Sequence, residues 1–170
     1  VPAILLLGAV FGAVNGLIHV QLRIPSFMSS LAMGFVGTGA AVLMTGGNIV
    51  KIDDEVFRSL LTYRLLGFPL MAYAAFAFLL LGWVIQSYTR LGRNFYAVGG
   101  GEDLAHASGV NVKRVRVLGF ALAGFYFAIA GLLQVAKLGQ AESVTGSNLM
   151  FISITSVVVG GVALWGGIGG

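Results

Sequence analysis

The sequence predicts an all-α fold, a polytopic bundle of membrane-spanning helices with about five membrane segments, and two observations carry the prediction. Hydrophobic residues make up 58% of the chain and charged residues only 9%, against roughly 25% charged in an ordinary soluble domain. The charges are also segregated, leaving five stretches without one: residues 1–18, 24–50, 65–89, 117–136 and 143–170. Each can hold a helix of about 20 residues, which at about 1.5 Å per residue crosses a hydrocarbon core of about 30 Å. Five such helices inside a soluble domain would leave almost no polar face. The runs also lack the period-two alternation of a transmembrane barrel.

In the first run, Gly8, Gly12 and Gly16 fall at successive fourth positions on one face. Removing side chains there lets another backbone approach, which predicts a packing seam. The second run opens at Pro25, which cannot donate a helical hydrogen bond and biases Ile24 away from helix. A helix start and a mid-helix break both fit, with Gly34, Gly37 and Gly39 following. Tyr73, Trp83 and Tyr88 lie near the ends of the third run as interfacial anchors. Gly119, Ala123, Ala130 and Gly131 keep the fourth run thin. The chain opens on Val1 and stops within the fifth apolar run, as expected of a piece of a longer polypeptide.

Polar residues within the runs require partners in protein or in a water-filled path, because hydrocarbon offers none. They are Asn15, Ser26, Ser29, Ser30, Thr38, Gln134, Asn148, Ser153, Thr155 and Ser156, and interhelical hydrogen bonds are expected for most of them. No carboxylate, histidine or lysine lies deep in an apolar run. That weighs against a proton- or ion-coupled pump and against buried haem, retinal or quinone ligands. The chain has no cysteine, hence no disulfide or thiolate metal site. His19 and His106 fall in separate loops, so no metal site is expected. No acid–base pair or nucleophile constellation indicates an enzyme.

Alternation places the loops after runs one and three on one side and those after two and four on the other. The loop 48–64 sets Lys51, Arg58 and Arg64 against Asp53, Asp54 and Glu55, and the loop after residue 136 sets Lys137 against Glu142. Both balance to zero. The loop 89–116 sets Arg90, Arg93, Lys113, Arg114 and Arg116 against Glu102 and Asp103, and Arg23 adds to the same side. The basic excess assigns that side to the cytoplasm and loop 48–64 to the periplasm. A basic loop in this position orients insertion, and no nucleic-acid partner is expected.

Within 89–116, Gly92, Gly99, Gly100, Gly101 and Gly109 punctuate a short segment of helical spacing. Glu102 and Asp103 suit a helix N-terminus, and Ser108-Gly109 suits its end, so residues 102–108 are predicted as a short exposed helix. The glycines either let this helix move as a unit or simply make turns. They form no phosphate loop, since GxxxxGK[ST] is missing and no strand precedes them. ATP hydrolysis is not expected in this chain.

The segment LGRNFYAVGGGEDLAHASGVNVKRVRVLGFALAG closely resembles the cytoplasmic-loop signature of permease subunits of ribose-type ATP-binding cassette importers. Supporting matches are Asn15-Gly16, the run from Leu22 to Phe27 (LRIPSF), Thr45-Gly46-Gly47, Val158-Val159-Gly160-Gly161 and Gly166-Gly167-Ile168-Gly169. The resemblance spans essentially the whole chain. It departs from the family pattern at Gly101, where Asn is usual, and at His106, where a small residue is common. Family members are nearly twice as long, so residues 1–170 are expected to be part of one transmembrane permease domain, incomplete at both ends.

The resemblance implies a permease pair, homo- or heterodimeric, in the bacterial inner membrane. It would be served by a cytoplasmic ATP-binding subunit and a periplasmic binding protein, and would pass a ribose-like monosaccharide inward. ATP and Mg would act in the partner, with no cofactor in this chain. Mapped here, loop 89–116 is the coupling loop and Glu102 to Val110 its coupling element. Its contact residues would be Gly99, Gly100, Glu102, Asp103, Ala105, Ser108, Gly109 and Val110, flanked by Arg93, Asn94 and Lys113. Asn15, Ser26, Phe27, Ser29, Gln134, Asn148 and Ser153 are candidates for the substrate path. Asp53, Asp54, Glu55 and Arg58 either hold the binding protein by complementary charge or form an ordinary solvated loop. Related substrates such as nucleosides, an autoinducer or branched-chain amino acids, and an ATP-independent facilitator, are the competing expectations.

Overall fold

The computed structural model describes residues 2–51, 63–65, 68–142 and 145–161. The elements run α1 (Pro2–Leu22), α2 (Ser26–Thr45), β1 (Val50–Lys51), β2 (Arg64–Leu65), β3 (Phe68–Pro69), α3 (Leu70–Tyr88), α4 (Arg90–Gly100), α5 (Glu102–Ala107), α6 (Val112–Leu138), β4 (Gln140–Ala141) and α7 (Thr145–Val159). Helices α1, α2, α3 and α6 are long and apolar enough to cross a membrane, and α7 is a shorter apolar helix. The chain is thus an all-α, multi-pass membrane bundle. Asp53, Asp54, Glu55 and Arg58 lie outside the described residues.

The predicted seam on α1 is present, and its partner is α6. A methyl group at Gly8 would lie 2.5 Å from Ala128 Cβ and 2.7 Å from the Gly124 carbonyl oxygen. One at Gly16 would lie 2.9 Å from Phe120 Cβ and 3.0 Å from Val117 Cα. At the centre, Gly12 faces the Phe120 carbonyl, and a methyl on Gly124 would stand 2.9 Å from Gly12 Cα. Ascending numbers on α1 meet descending numbers on α6, so the pair is antiparallel. Small residues allow this approach where apolar area alone gives no drive, since lipid is as apolar as leucine.

α2 begins immediately after Pro25, whose φ of −50° and ψ of 137° are extended. The proline therefore marks a helix start, and α2 runs unbroken through its glycines. It packs on α1 through Asn15, which donates to Ser30 Oγ at 3.2 Å and accepts from Ser29 Oγ at 2.5 Å. Beyond this cluster, Gly37 takes the Phe11 ring, with Cζ 3.4 Å from a Cβ built there. α3 reaches α6 through Tyr126, whose hydroxyl donates to the Phe78 carbonyl at 3.3 Å and lies beside Gly82.

The two ends of the bundle sort as the alternation predicts. β1 pairs antiparallel with β4, Val50 opposite Ala141 and Lys51 opposite Gln140, so the segments after α2 and α6 share one end. At the other, the His19 ring lies 5.4 Å from that of Phe120. His19 Nδ1 sits 2.6 Å from the Ile24 carbonyl oxygen, to which it donates when protonated there, closing the α1–α2 turn. This is the basic end.

Three expectations need correction. The segment 89–116 holds more helix than its glycines suggest, since α4 and the first turn of α6 lie in it beside the expected short helix. His19 and His106 are not in loops: His19 is in the last turn of α1 and His106 in that of α5. Thr155 and Ser156 do not bond between helices but donate to the Phe151 and Ile152 carbonyls of their own helix, as hydroxyls four residues on can. On α6 the glycine opposing the α1 seam is Gly124; Gly131 has open space where a Cβ would sit, and Gly119 faces Phe95 on α4.

Replacing Gly12 or Gly124 by Val should cost about 1–3 kcal/mol or more by overpacking, whereas Gly131→Ala should be tolerated. Thermal unfolding of the full-length protein in detergent micelles checks the contrast, expected as a lowered midpoint for the first two only.

Candidate functional site

The residues singled out in 89–116 lie together at the basic end on a helical hairpin built from α3, α4, α5 and the start of α6. The chain turns first at Thr89. Its side chain donates to the Ile85 carbonyl at 2.5 Å and accepts from the Gly92 amide at 3.3 Å, closing α3 and capping α4. Such hydroxyl capping satisfies donors the new helix leaves open. Gly92 is buried in the elbow, where a Cβ would stand 2.7 Å from Gln86 Cα and closer still to its carbonyl. α4 therefore folds against α3, and Gln86 Nε2 donates to Tyr96 Oη at 2.8 Å.

α4 crosses to α6. Leu91, Asn94, Phe95 and Val98 are at least half-buried, whereas Arg90, Arg93 and Tyr96 are exposed. Phe95 and Val98 line a shallow apolar groove of about 310 Å³ with Val115, Arg116, Gly119, Phe120 and Ala123. The alternation of Leu91, Phe95 and Val98 with the arginines has a helical period. That signal was present in the sequence beneath the glycines.

α5 is the predicted short helix, with Glu102 and Asp103 in its first turn and Ser108 at its end. Gly109, at φ +77°, closes it. The Gly109 amide donates to His106 O and the Val110 amide to Ala105 O, both at 3.0 Å. These are the two bonds of a Schellman motif, which requires a left-handed residue and hence glycine. Asn111 then caps α6, its side chain accepting from the Arg114 amide at 3.1 Å. Two turns of chain thus pass from α5 into α6 with no free loop between.

Burial separates the roles on α5. Ala105 is 2% exposed and faces the protein, whereas Leu104 is 74% exposed. Leu104 is thus an apolar side chain on the outer face of a charged hairpin. Leu104 falls inside the segment 102–110 that the resemblance marks for coupling, and the structure adds that its side chain faces outward while Ala105 faces inward. Glu102 Oε2 also accepts from Arg116 Nη2 at 2.7 Å, tying α5 to α6.

Of the residues proposed for the hairpin, Arg93 and Asn94 lie on α4, Gly99 and Gly100 in its last turn, and Lys113 in the first turn of α6. The polar residues proposed for a path are not gathered. Asn15 and Ser29 are buried against each other, with no side-chain capacity left over on Ser29's donor. Ser26 and Phe27 are exposed in the first turn of α2, Gln134 is half-buried on α6, Ser153 is exposed on α7, and Asn148 falls in α7. Among the described residues no group of three or more His, Cys, Asp and Glu could hold a metal.

The family model described as the permease component of branched-chain amino acid transport systems matches residues 1–170. The ribose import permease protein RbsC of Escherichia coli K12 is 34% identical over 173 residues, covering 99% of this chain and 54% of that protein. The autoinducer 2 import system permease protein LsrC of Klebsiella pneumoniae is 38% identical over 163 residues, covering 96% and 47%. The L-arabinose transport system permease protein AraH of Escherichia coli K12 is 35% identical over 156 residues, covering 92% and 48%. The chain spans about half the length of these relatives. No solved structure matches it.

The elbow can be tested directly. Gly92→Ala should force α4 away from α3 at a cost on the order of 1–3 kcal/mol, while Gly100→Ala, with open space around it, should not. Cysteines placed at Gln86 and Tyr96 in this cysteine-free sequence should be bridged readily by a short bifunctional thiol reagent in the parent and in Gly100→Ala, and poorly in Gly92→Ala.

Proposed function

We propose, from the premise that the chain belongs to the family of branched-chain amino acid transport system permease components, that it is the translocating part of an ATP-driven importer for a ribose-like monosaccharide. The observation that carries this reading is α5, a rigidly capped helix at the basic end that projects Leu104 outward and is continuous with a membrane-spanning helix. A partner ATPase closing against that helix has a solid element to push. Coupling is then a two-state rearrangement of packed helices rather than a soft deformation.

In this reading the basic end faces the cytoplasm, as the positive-inside rule requires, in the inner membrane of a bacterium. Glu102, Asp103, Ala105, Ser108, Gly109 and Val110 form the docking helix and its cap. Gly99 and Gly100 lead into it, and Arg93, Asn94 and Lys113 flank it. ATP and Mg belong to the partner, since this sequence lacks a phosphate-binding loop. The opposite end, where β1 meets β4, receives the substrate from a periplasmic binding protein, with Asp53, Asp54, Glu55 and Arg58 as its charged contacts. A second permease copy completes the path. Ser26, Phe27, Gln134, Asn148 and Ser153 are its candidate lining, and the mutual pairing of Asn15 and Ser29 favours a structural part for those two.

The relatives' names span ribose, L-arabinose and autoinducer 2, and the choice of a pentose rests on the ribose permease's match over nearly the whole chain. Calorimetric titration of the partner binding protein with ribose, L-arabinose, autoinducer 2 and leucine decides it; tight binding of autoinducer 2 or leucine and of neither pentose overturns the substrate.

Exchanging residues 102–110 for a Gly-Ser linker in the full-length permease should leave membrane insertion intact. ATP-dependent uptake in proteoliposomes with all partners should fall at least tenfold. Unchanged uptake, or saturable uptake by the permease alone without ATP, overturns the importer reading.

A further inference from the structure

We propose that Arg116 is a positioning residue that straps the docking helix to α6, so that α5, α6 and α1 move as one body; this rests on the importer reading above. The strap follows from how α5 is held. Its C-terminal end is fixed to α6 through the Gly109 cap and Asn111, and α6 begins at Val112. Its N-terminal end is joined in sequence only to Gly101 and α4. In space, Glu102 at that end meets Arg116 at 2.7 Å. Residue 116 is one turn beyond residue 112, so both ends of α5 are tied along a single turn of α6.

Arg116 is suited to this by more than charge. It shares the apolar groove with Phe95 and Val98 of α4 and Gly119 of α6, so its carbon stem is packed while its guanidinium reaches out to Glu102. Long basic side chains commonly divide in this way. Glu102 is also the first residue of α5, where a carboxylate is favoured by the helix dipole.

The consequence is mechanical. Without the strap, a push on exposed Leu104 would swing α5 about Gly109, the left-handed residue joining it to α6. With the strap, the same push is delivered to the first turn of α6. From there it passes to α1, because at Gly8, Gly12, Gly16 and Gly124 the two helices are in direct contact with no side chain between them to absorb the displacement. An exposed ion pair adds little stability, so its effect is expected in the path of motion rather than in folding.

Spin labels on cysteines replacing Ala107 on α5 and Leu7 on α1, in the full-length permease assembled with its ATPase in nanodiscs, measure this directly. The label distance should be the same in nucleotide-free and ATP–vanadate states of the parent. In Arg116→Ala it should become nucleotide-dependent, shifting by about 5 Å, on the order of one helical turn. Glu102→Gln, which keeps every basic residue and therefore the insertion signal, should give the same shift. Arg116→Lys should restore the parent behaviour in part, and so should the charge-reversed pair Glu102→Arg with Arg116→Glu, which remakes the ion pair but places a cation at the N-terminus of α5.

A parent distance that already changes with nucleotide, or an Arg116→Ala variant indistinguishable from the parent while the ATPase remains bound, overturns the strap and leaves the importer reading standing. An ATPase that does not assemble with the parent permease overturns both.

Discussion

Everything in this bundle hangs on how closely α1 and α6 approach. Hydrocarbon gives two apolar helices no reason to prefer each other over lipid, so their association depends on contact distance and on dispersion summed over many atoms. Glycine at four places removes the Cβ atoms that would hold the axes apart, and the backbones meet directly. The other elements are hung on α6 around that contact: α3 through Tyr126, α4 through Phe95 on Gly119, α5 through Arg116. α2 is held on α1 by Asn15, Ser29 and Ser30. One helix therefore touches both the hairpin at the basic end and the small β1–β4 pair at the opposite end.

The polar cluster on α2 shows how the membrane changes the meaning of a side chain. In water Asn15 would be an unremarkable surface residue; here its amide and carbonyl must each find a partner inside the protein. Two consecutive serines on the next helix supply them, and Ser29 is nearly fully buried as a result. The same chemistry that would suit a passing sugar hydroxyl is thus already engaged between helices. Polarity within an apolar run identifies a residue that needs a partner, without saying which.

That ambiguity explains what the sequence could and could not disclose. The apolar segments, their alternation and the glycine face of α1 were legible, because composition and spacing are local properties. The start of α6 was placed five residues late, since stopping a run at the last charge, Arg116, hides a helix whose first turn is basic. α4 was hidden for a related reason: Gly92, Gly99 and Gly100 suggest turns, yet Gly92 is there for a close approach to Gln86. Gly124 carries a small residue four positions on, at Ala128, but choosing it from the other small residues of α6 required knowing which face meets α1. The short helix α5 was read correctly because its acids and its Ser-Gly ending mark both termini within a few residues. Which of its apolar residues faces inward, Ala105, and which outward, Leu104, was not legible, because exposure is a property of the fold.

The seam between α1 and α6 also has a thermodynamic character that other interfaces in the chain lack. A glycine contact has no χ angle to freeze, so bringing these helices together sacrifices none of the rotamer entropy that locking leucines or phenylalanines would cost, up to about 1 kcal/mol for each leucine. Its cohesion comes largely from backbone atoms, including the Cα–H groups of Gly12 and Gly124 facing opposing carbonyls, contacts that are individually weak but recur at helix interfaces. Every single-residue change at these positions adds atoms where there is no room. The region of the chain with the least side-chain chemistry is therefore the one least free to vary.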